Sequence, residues 1–206
     1  MFWDKIAFLY DLFETVYNKK CFQNLGYAVA DLIDEKDNVL ECACGTGAIS
    51  LPVAEKCHCL VATDFSVKML KQARQKCSKC KNIIFRKADI TSLNCSDSKF
   101  DKVIAGNVIH LLDEPQKAMK ELERVCKSGG MLIIPTYINK NSDGSDSIAV
   151  KFLEKLGADF SRQFTLDEYK SFFFDMGYDN AEFFVVDGRM PCAVAVISVK
   201  SLLFTK

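Results

Sequence analysis

Net charge is what this sequence most clearly lacks. Its 206 residues carry 27 lysines and arginines and 27 aspartates and glutamates, and no run of like charge exceeds a few residues. The expected surface field is therefore weak and mixed in sign. Because proteins that bind nucleic acid need a basic patch, we predict that nucleic acid is not a partner.

A membrane span and a secretory leader are also missing from the pattern. No apolar run approaches the roughly 20 residues that cross a bilayer. The first residues, MFWDKIAFLYDLFETVYNKK, place acids among apolar residues and contain no basic leader or cleavage site. We predict no signal peptide, no stable membrane insertion and a single domain over residues 1–206, since this length fits one domain with a buried core.

Ten cysteines occur without a secretory signal. Several lie beside strand-like apolar residues, which is typical of reduced thiols in a cytoplasmic protein rather than of a disulfide framework. Cys57, Cys59, Cys77 and Cys80 form C-x-C and C-x-x-C pairs, so zinc stays open as an alternative. We predict no metal, because alternate strand residues share one face and helical thiols commonly pack inward. No histidine and acid set accompanies Cys44, which disfavours it as a nucleophile.

Strand-like apolar runs alternate with helical patterns between residues 36 and 138. The strands are predicted in NVLECA, CLVATD, NIIFRKAD, KFDKVIAGN and MLIIPTYI, and the helices over 47–56, 66–80 and 114–127. Such alternation predicts parallel βαβ units in a doubly wound α/β sheet. Pro115 is expected to begin the last of these helices, with Asp113 or Glu114 as its cap. Gly129-Gly130 is expected to end it.

Both ends of the chain add elements to this core. Helical patterns cover 2–17 and 21–35, so residues 1–35 are predicted to form a helical cap. Residues 139–206 are predicted to hold a helix that begins near Thr165 and two strands, AEFFVV and CAVAVISV. Only DGRMP separates these strands, which is too short for a parallel crossover, so they must form an antiparallel hairpin.

The stretch VLECACGTGAIS, residues 39–50, joins the first strand to the next helix. In a doubly wound sheet the small-molecule site lies beyond the carboxyl ends of the strands, and this loop lines it. Ala43, Gly45 and Gly47 remove side-chain bulk where a ligand must meet the backbone. The pattern predicts a nucleotide-like ligand, although glycines also simply make tight turns.

Glu41 indicates the charge of that ligand. It lies near the end of a strand otherwise built from apolar residues, where an unpaired buried carboxylate would cost several kcal/mol. A cationic donor such as S-adenosylmethionine would offset that cost. The pyrophosphate of a dinucleotide would instead be repelled by the carboxylate.

Acidic residues also end the next two strands. Asp64, in CLVATDFS, is positioned to accept both hydroxyls of a ribose, with a helix cap before Ser66 as the alternative role. Phe65 and Met69 can contact a flat adenine, although core packing explains them almost as well. Asp89, in RKADIT, can accept from the adenine amino group or serve as an ordinary turn residue.

Together these motifs resemble the class I S-adenosylmethionine-dependent methyltransferases, in particular the small-molecule branch with the ubiquinone and menaquinone methyltransferases. The matching pieces are VLECACGTG, ATDFSVKMLKQA, KADITSL, FDKVIAGNVIHLL and PQKAMKELERVCKSGGMLII, in that order. They cover most of residues 36–138. The resemblance implies a Rossmann-like seven-stranded sheet with the seventh strand antiparallel, helices on both faces and an N-terminal helical lid.

The resemblance also implies an activity and a set of cofactor contacts. S-adenosylmethionine would be the methyl donor, S-adenosylhomocysteine the product and a small molecule the acceptor. The implied contacts are Glu41, Ala43, Gly45, Thr46 and the Asn107 backbone around methionine, and Asp64, Phe65, Asp89 and Ile90 around ribose and adenine. Gly47 and Met69 complete the predicted set. Ala43 stands where glycine is commoner in the family, and Ser128 where proline is usual.

Methyl transfer from a sulfonium needs alignment and exclusion of water more than it needs a dedicated base. His110, in GNVIHLL, and Tyr10, on the first helix, are the two candidate catalytic residues, with an ordinary hydrogen bond or packing as their alternative roles. Tyr137 and Asn139 are candidates for the acceptor pocket. The aromatic residues of the first helix would form an apolar cover suited to an aromatic or lipid-like acceptor, although such residues also simply pack a helix onto a domain.

Two other functions are compatible with parts of the pattern. A nicotinamide-dependent reductase shares the early strands and Asp64, but Glu41 and the terminal hairpin disfavour it. A non-catalytic S-adenosylmethionine-binding subunit or sensor would share every cofactor contact. Turnover of the cofactor by the isolated chain separates that last alternative from an enzyme.

Overall fold

The structure, a computed structural model, describes residues 18–138 and 163–200. The helices in these ranges are α1 (Lys19–Ala30), α2 (Ser50–Ala54), α3 (Val67–Lys76), α4 (Pro115–Val125) and α5 (Leu166–Asp175), with a 3₁₀ turn at Ile109–Leu111. The strands are β1 (Asn38–Cys42), β2 (Cys59–Asp64), β3 (Ile83–Lys87), β4 (Phe100–Ala105), β5 (Cys126–Tyr137), β6 (Ala181–Val186) and β7 (Cys192–Ser198). The helix predicted over 2–17, with its role as a lid, lies outside the described residues.

All seven strands form one sheet in the order β3-β2-β1-β4-β5-β7-β6. Strands β1 to β5 pair in parallel, and β7 runs antiparallel to both β5 and β6. Glu41 stands opposite Ala62 of β2 and Ile104 of β4, so its strand lies at the centre of the sheet. The predicted doubly wound sheet and its antiparallel seventh strand are confirmed.

Two apolar clusters cover the two faces of the sheet. On β1, Val39 belongs to one cluster and Leu40 to the other, and both are fully buried. The Leu40 face is covered by α4 and α5, through residues such as Met119 and Tyr169. The Val39 face is covered by α1, α2 and α3. Because both faces are buried, the strands are nearly continuous apolar runs, and the predicted helices on both faces are confirmed.

Helix starts largely follow the expected capping chemistry. Ser66 caps α3, and its hydroxyl accepts a backbone amide hydrogen bond at 3.2 Å. Thr165 and Glu168 form a capping box at α5, which confirms the predicted start of that helix. Pro115 begins α4 as predicted, but Glu114 occupies the cap position without a side-chain hydrogen bond. The predicted side-chain cap of α4 is therefore wrong.

The end of α4 also differs from its prediction. The helix stops at Val125 and β5 begins at Cys126, so Gly129 and Gly130 lie inside a strand rather than closing the helix. A Cβ atom on Gly130 would lie 2.7 Å from the carbonyl oxygen of Asp101. The glycine is needed because β5 passes close to β4 here, where the pairing of the two strands also shifts register.

The helices beside the first two strands are shorter than predicted. Helix α2 covers five residues of the predicted 47–56, because Gly47 has a φ of 86° and cannot belong to a right-handed helix. Helix α3 covers ten residues of the predicted 66–80. None of the helices in the two described ranges has both the length and the apolar character needed to cross a bilayer.

The start of α1 is tied to the C-terminal hairpin. Asn18 is 2 % exposed, and its side-chain amide donates to the Met190 carbonyl at 2.8 Å and accepts from the Met190 amide at 3.2 Å. Met190 lies in the turn between β6 and β7. Because Tyr137 of β5 pairs with Cys192 of β7, this turn lies at the carboxyl edge of the parallel strands.

Candidate functional site

The carboxyl ends of β1 to β4 border a crevice of about 340 Å³. This volume lies in the range of small-molecule sites, and the position is the one expected for a doubly wound sheet. Most of the predicted cofactor residues line it: Ala43, Gly45, Asp64, Phe65, Met69, Asp89, Ile90 and Asn107.

A second cavity of about 50 Å³ adjoins the crevice. The two cavities share walls at Ala43, Gly45 and Asn107. The smaller one adds Glu41 and Thr46. The structure therefore brings ten of the eleven predicted cofactor residues together at one edge of the sheet, and Gly47 is the exception.

The turn after β1 is built from residues with positive φ. The angles are 54° at Ala43, 55° at Gly45 and 86° at Gly47. No atom lies within 4 Å of the position that a Cβ would take on Gly45, so that glycine borders open space. A Cβ on Gly47 would instead lie 3.2 Å from Ala73 of α3. Gly45 thus widens the cavity, whereas Gly47 lets the turn pack on a helix.

Asp64 is held in place by two backbone amides. Its Oδ2 accepts from the Gly45 amide at 2.9 Å, and its Oδ1 accepts from the Ser66 amide at 2.8 Å. Since the Ser66 hydroxyl caps α3, Asp64 is not the cap of that helix. A carboxylate oxygen can accept two hydrogen bonds. The carboxylate that lines the crevice is therefore rigid and can still accept hydrogen bonds from a ligand.

Glu41 is a buried carboxyl, 2 % exposed, in the wall of the smaller cavity. The Ser50 hydroxyl donates to its Oε2 at 2.6 Å. Burial raises the pKa of Glu41 to about 8, and the Ser50 hydrogen bond opposes part of that rise. No lysine, arginine or histidine of the described residues forms an ion pair with Glu41. A positive charge in the cavity would stabilise its ionised form.

Asn107 joins the end of β4 to β5. Its backbone amide donates to the Pro135 carbonyl at 2.8 Å, and its side-chain oxygen accepts from the Tyr137 amide at 3.0 Å. The residue adopts a φ of 51°, a conformation that asparagine tolerates better than most residues. These bonds fix the backbone of Asn107 at the edge shared by both cavities.

The far side of the crevice has an exposed aromatic ring above buried apolar residues. Phe65 is 48 % exposed, and the Lys87 ammonium lies 5.1 Å from its ring centre. Met69 and Ile90 are buried beneath. Asp89 accepts from both the amide and the hydroxyl of Thr91, two residues further along the chain, so it forms a turn while also lining the crevice. Its two predicted roles are compatible.

Six further residues line the crevice and were not predicted from the sequence: Thr63, Ala88, Gly106, Val108, Leu111 and Leu112. Gly106 had a signal, because it directly precedes Asn107 at a strand end. A Cβ on it would lie 2.8 Å from the Ile49 side chain. The apolar residues carry no chemical signature that separates a cavity wall from a core.

The residues predicted to act on the acceptor either line neither cavity or lie outside the described residues. His110 is buried in the 3₁₀ turn and lines neither cavity. Its burial lowers the pKa of the imidazole to about 4. Tyr137 is half-buried and also lines neither cavity. Tyr10 and Asn139 lie outside the described residues.

The ten cysteines lie in the described ranges and are all free thiols. Burial raises the pKa of Cys57 to about 11 and that of Cys77 to about 12, so both are protonated at neutral pH. Within residues 18–138 and 163–200, no three histidine, cysteine, aspartate or glutamate side chains are grouped closely enough to hold a metal ion. Burial also raises the pKa of Cys44 well above its usual value, which disfavours a nucleophilic role.

Comparison with known proteins shows what the crevice region is similar to. Residues 40–134, which contain all the residues that line the crevice, match a family model described as a methyltransferase domain. This match covers just under half of the chain. The demethylmenaquinone methyltransferase of Paenarthrobacter aurescens (strain TC1) is 34% identical over 136 residues, which cover 65% of this chain and 53% of that protein. The chain spans about half the length of the curated relatives it matches.

Solved methyltransferase structures share the fold. An S-adenosylmethionine-dependent methyltransferase from Thermotoga maritima aligns with a TM-score of 0.73 at 19% identity, over 97% of this chain and 98% of that one. Magnesium protoporphyrin IX methyltransferase from Synechocystis PCC 6803, solved with bound SAH, aligns with a TM-score of 0.63 at 20% identity, over 88% and 84% of the two chains. The expected class I methyltransferase fold is confirmed.

Proposed function

We propose that this chain is an S-adenosylmethionine-dependent methyltransferase that acts on a small molecule. One observation carries the proposal. Two carboxylates, Glu41 and Asp64, end neighbouring strands on either side of the Gly45 turn and face two adjoining cavities. With Asp64 in the crevice and Glu41 in the smaller cavity, the site suits a ligand with hydroxyls at one end and a positive charge at the other, and an adenosyl sulfonium amino acid has both.

Five residues of the two cavities would hold the cofactor. Asp64, already fixed by two amides, would accept the ribose hydroxyls without reorganising. Phe65 and Ile90 offer apolar surface for the adenine. Glu41 faces the methionine end, and the rigid backbone of Asn107 borders the same region. When bound, S-adenosylmethionine supplies a methyl group on a good leaving group.

The described residues support alignment rather than acid–base chemistry. An imidazole with a pKa of about 4, as at His110, is a weak base at neutral pH, and it is also buried away from both cavities. We therefore assign no proton transfer to His110. The apolar walls at Val108, Leu111 and Leu112 would exclude water from the reacting atoms.

The acceptor that we propose is a flat, largely apolar aromatic molecule. Two similar proteins carry names that support this class, a demethylmenaquinone methyltransferase and a magnesium protoporphyrin IX methyltransferase. The apolar residues that follow β4 are suited to such a molecule. The ten free thiols support a reducing, cytoplasmic setting. No feature of the family match favours a nicotinamide-dependent reductase.

Calorimetry of S-adenosylhomocysteine binding tests the cofactor site. Asp64→Ala is expected to weaken binding by about 3 kcal/mol, roughly a hundredfold, because two charge-assisted hydrogen bonds to the ribose are lost. Asp175→Ala is the matched control, since Asp175 is exposed on α5 and lines neither cavity. Equal affinity for the wild type and Asp64→Ala would remove Asp64 from the site.

Methyl transfer is tested with S-adenosylmethionine carrying a labelled methyl group. Purified full chain is incubated with this donor and with fractionated metabolite extracts, and label is sought in apolar aromatic fractions. Label that appears only with active protein supports the enzyme and identifies the acceptor. Binding of the cofactor without transfer in any fraction would favour a non-catalytic binding subunit instead.

A further inference from the structure

In the part of the chain that the structure describes, Ser50 is the side chain that hydrogen-bonds to the Glu41 carboxyl. Ser50, at the start of α2, is fully buried, and its hydroxyl donates to Glu41 Oε2 at 2.6 Å. Glu41 is 2 % exposed and borders the smaller cavity. The backbone carbonyl of Glu41 is held separately, by the Thr63 hydroxyl at 3.2 Å. Ser50 therefore orients the Glu41 carboxyl, whereas Thr63 holds the Glu41 backbone.

Among residues 18–138 and 163–200, no cationic side chain pairs with the Glu41 carboxyl. Asp64, at the end of β2, faces it and raises its pKa. The nearby thiols of Cys42, Cys44 and Cys77 have pKa values raised by burial and by Glu41 itself, so they are neutral below about pH 8. The Lys76 ammonium at the end of α3 donates to the Thr46 hydroxyl at 3.1 Å rather than to Glu41.

We propose that Ser50 is a positioning residue that aims the Glu41 carboxyl into the smaller cavity, and that Glu41 releases one proton when the cofactor's ammonium group binds there. The inference rests on the proposed function, since it needs the amino-acid end of the cofactor in this cavity. In the step, the O–H bond of the carboxyl breaks, the proton passes to the buffer and the carboxylate pairs with the ammonium. No other bond changes.

The direction of the pH dependence follows from the pKa of Glu41. Burial raises it to about 8 in the free protein, so the carboxyl is protonated at neutral pH. An ammonium beside it lowers the pKa of the bound form. Affinity must then rise as the pH increases towards about 8 and level off above it, by up to about tenfold per pH unit. Because the Ser50 hydrogen bond opposes the rise in pKa, removing it moves this plateau to higher pH.

Calorimetry of S-adenosylhomocysteine binding between about pH 6 and about pH 9 tests the proposal, because this range includes the expected plateau. Each titration is made in two buffers with different ionisation enthalpies, which counts the protons released. For wild type we expect close to one proton near pH 7 and affinity that rises with pH. For Ser50→Ala we expect about tenfold weaker binding at pH 7 and a rise displaced to higher pH.

Four further probes test the positioning role and the proton release. Ser50→Thr keeps the hydroxyl and should restore the wild-type profile. Thr63→Val removes a hydroxyl that is bonded to the backbone carbonyl of Glu41 and not to its carboxyl. Because Thr63 also lines the crevice, the affinity can change at every pH, but the pH of the plateau should not move. Glu41→Gln should bind without proton release at any pH. With wild-type protein, 5′-methylthioadenosine, which lacks the amino-acid end, should also bind without releasing a proton.

The outcomes distinguish this inference from the proposed function. Wild-type binding of S-adenosylhomocysteine with no proton release and no pH dependence would overturn the inference and leave the cofactor site intact. A Ser50→Ala profile that coincides with wild type would overturn the role of Ser50. Glu41→Gln tests the proton release independently of whether Ser50→Ala folds. If wild-type protein failed to bind S-adenosylhomocysteine at any pH, the proposed function would instead be refuted.

Discussion

At the scale of single residues, Ala43 carries backbone strain at the mouth of the central strand. Its φ of 54° lies in the left-handed region, where a Cβ costs about 1–2 kcal/mol. Ala43→Gly removes that cost. The glycine also raises the conformational entropy of the unfolded chain, which lowers the free energy of unfolding by about 0.4–1 kcal/mol. We expect the variant to be more stable by up to about 1 kcal/mol in urea unfolding.

Ala62→Gly is the matched control for this strain. Ala62 is fully buried in β2, directly opposite Glu41, and its backbone has no positive φ. The same chemical change there should lower the free energy of unfolding by about 1 kcal/mol. A loss of similar size in Ala43→Gly would contradict the assignment of strain to Ala43.

Sequence reasoning found the site residues whose side chains have a distinctive chemistry. Glu41 and Asp64 are carboxylates near strand ends, so residue type and position pointed the same way, whereas Asn107 was predicted only from the family resemblance. Leu111 and Leu112 line the same crevice. They were missed because a leucine that faces a cavity and one that faces the core are identical in a sequence.

At the scale of elements, Gly130 allows β5 to pass beside β4. A Cβ on it would lie 2.7 Å from the Asp101 carbonyl oxygen and 2.8 Å from that of Lys127. These are backbone atoms of paired strands and cannot move away cheaply. Gly130→Ala is expected to lower the free energy of unfolding by about 3 kcal/mol, measured in urea.

The neighbouring Gly129 provides the comparison. No atom lies within 4 Å of the position of its Cβ, but its φ is 74°. Gly129→Ala should therefore cost only the left-handed strain of about 1–2 kcal/mol. If both alanine variants lost the same stability, steric contact between the strands would not be the reason for Gly130.

These glycines also show why one helix end was predicted wrongly. Two glycines after a lysine are a common way to end a helix, and nothing local distinguishes that pattern from a close approach of two strands. The C-terminal hairpin was predicted correctly because its evidence is local. Two strand-like runs separated by five residues can only pair antiparallel.

At the scale of the whole molecule, the sheet could be predicted from the sequence. The hydrogen bonds between residues far apart in the chain could not. Alternating strands and helices restrict a chain to few topologies, and the observed strand order is one of them. The hydrogen bonds between Asn18 and Met190 join residues 172 positions apart. An asparagine beside lysines and a methionine in a turn give no sequence signal that they meet.

The hydrogen bonds between Asn18 and Met190 predict that α1 and the C-terminal hairpin stabilise each other. Asn18→Ala leaves the partly buried amide and carbonyl of Met190 without this partner, which should lower the free energy of unfolding by about 2 kcal/mol. Hydrogen exchange at the Met190 amide should accelerate together with exchange in α1. Asn180→Ala, which removes an exposed side-chain bond to the Ser198 carbonyl, should change stability by less than about 0.5 kcal/mol. Unchanged protection of Met190 in Asn18→Ala would mean that the hairpin turn is held by its own strands, and that α1 is not needed to order the carboxyl edge beside the crevice.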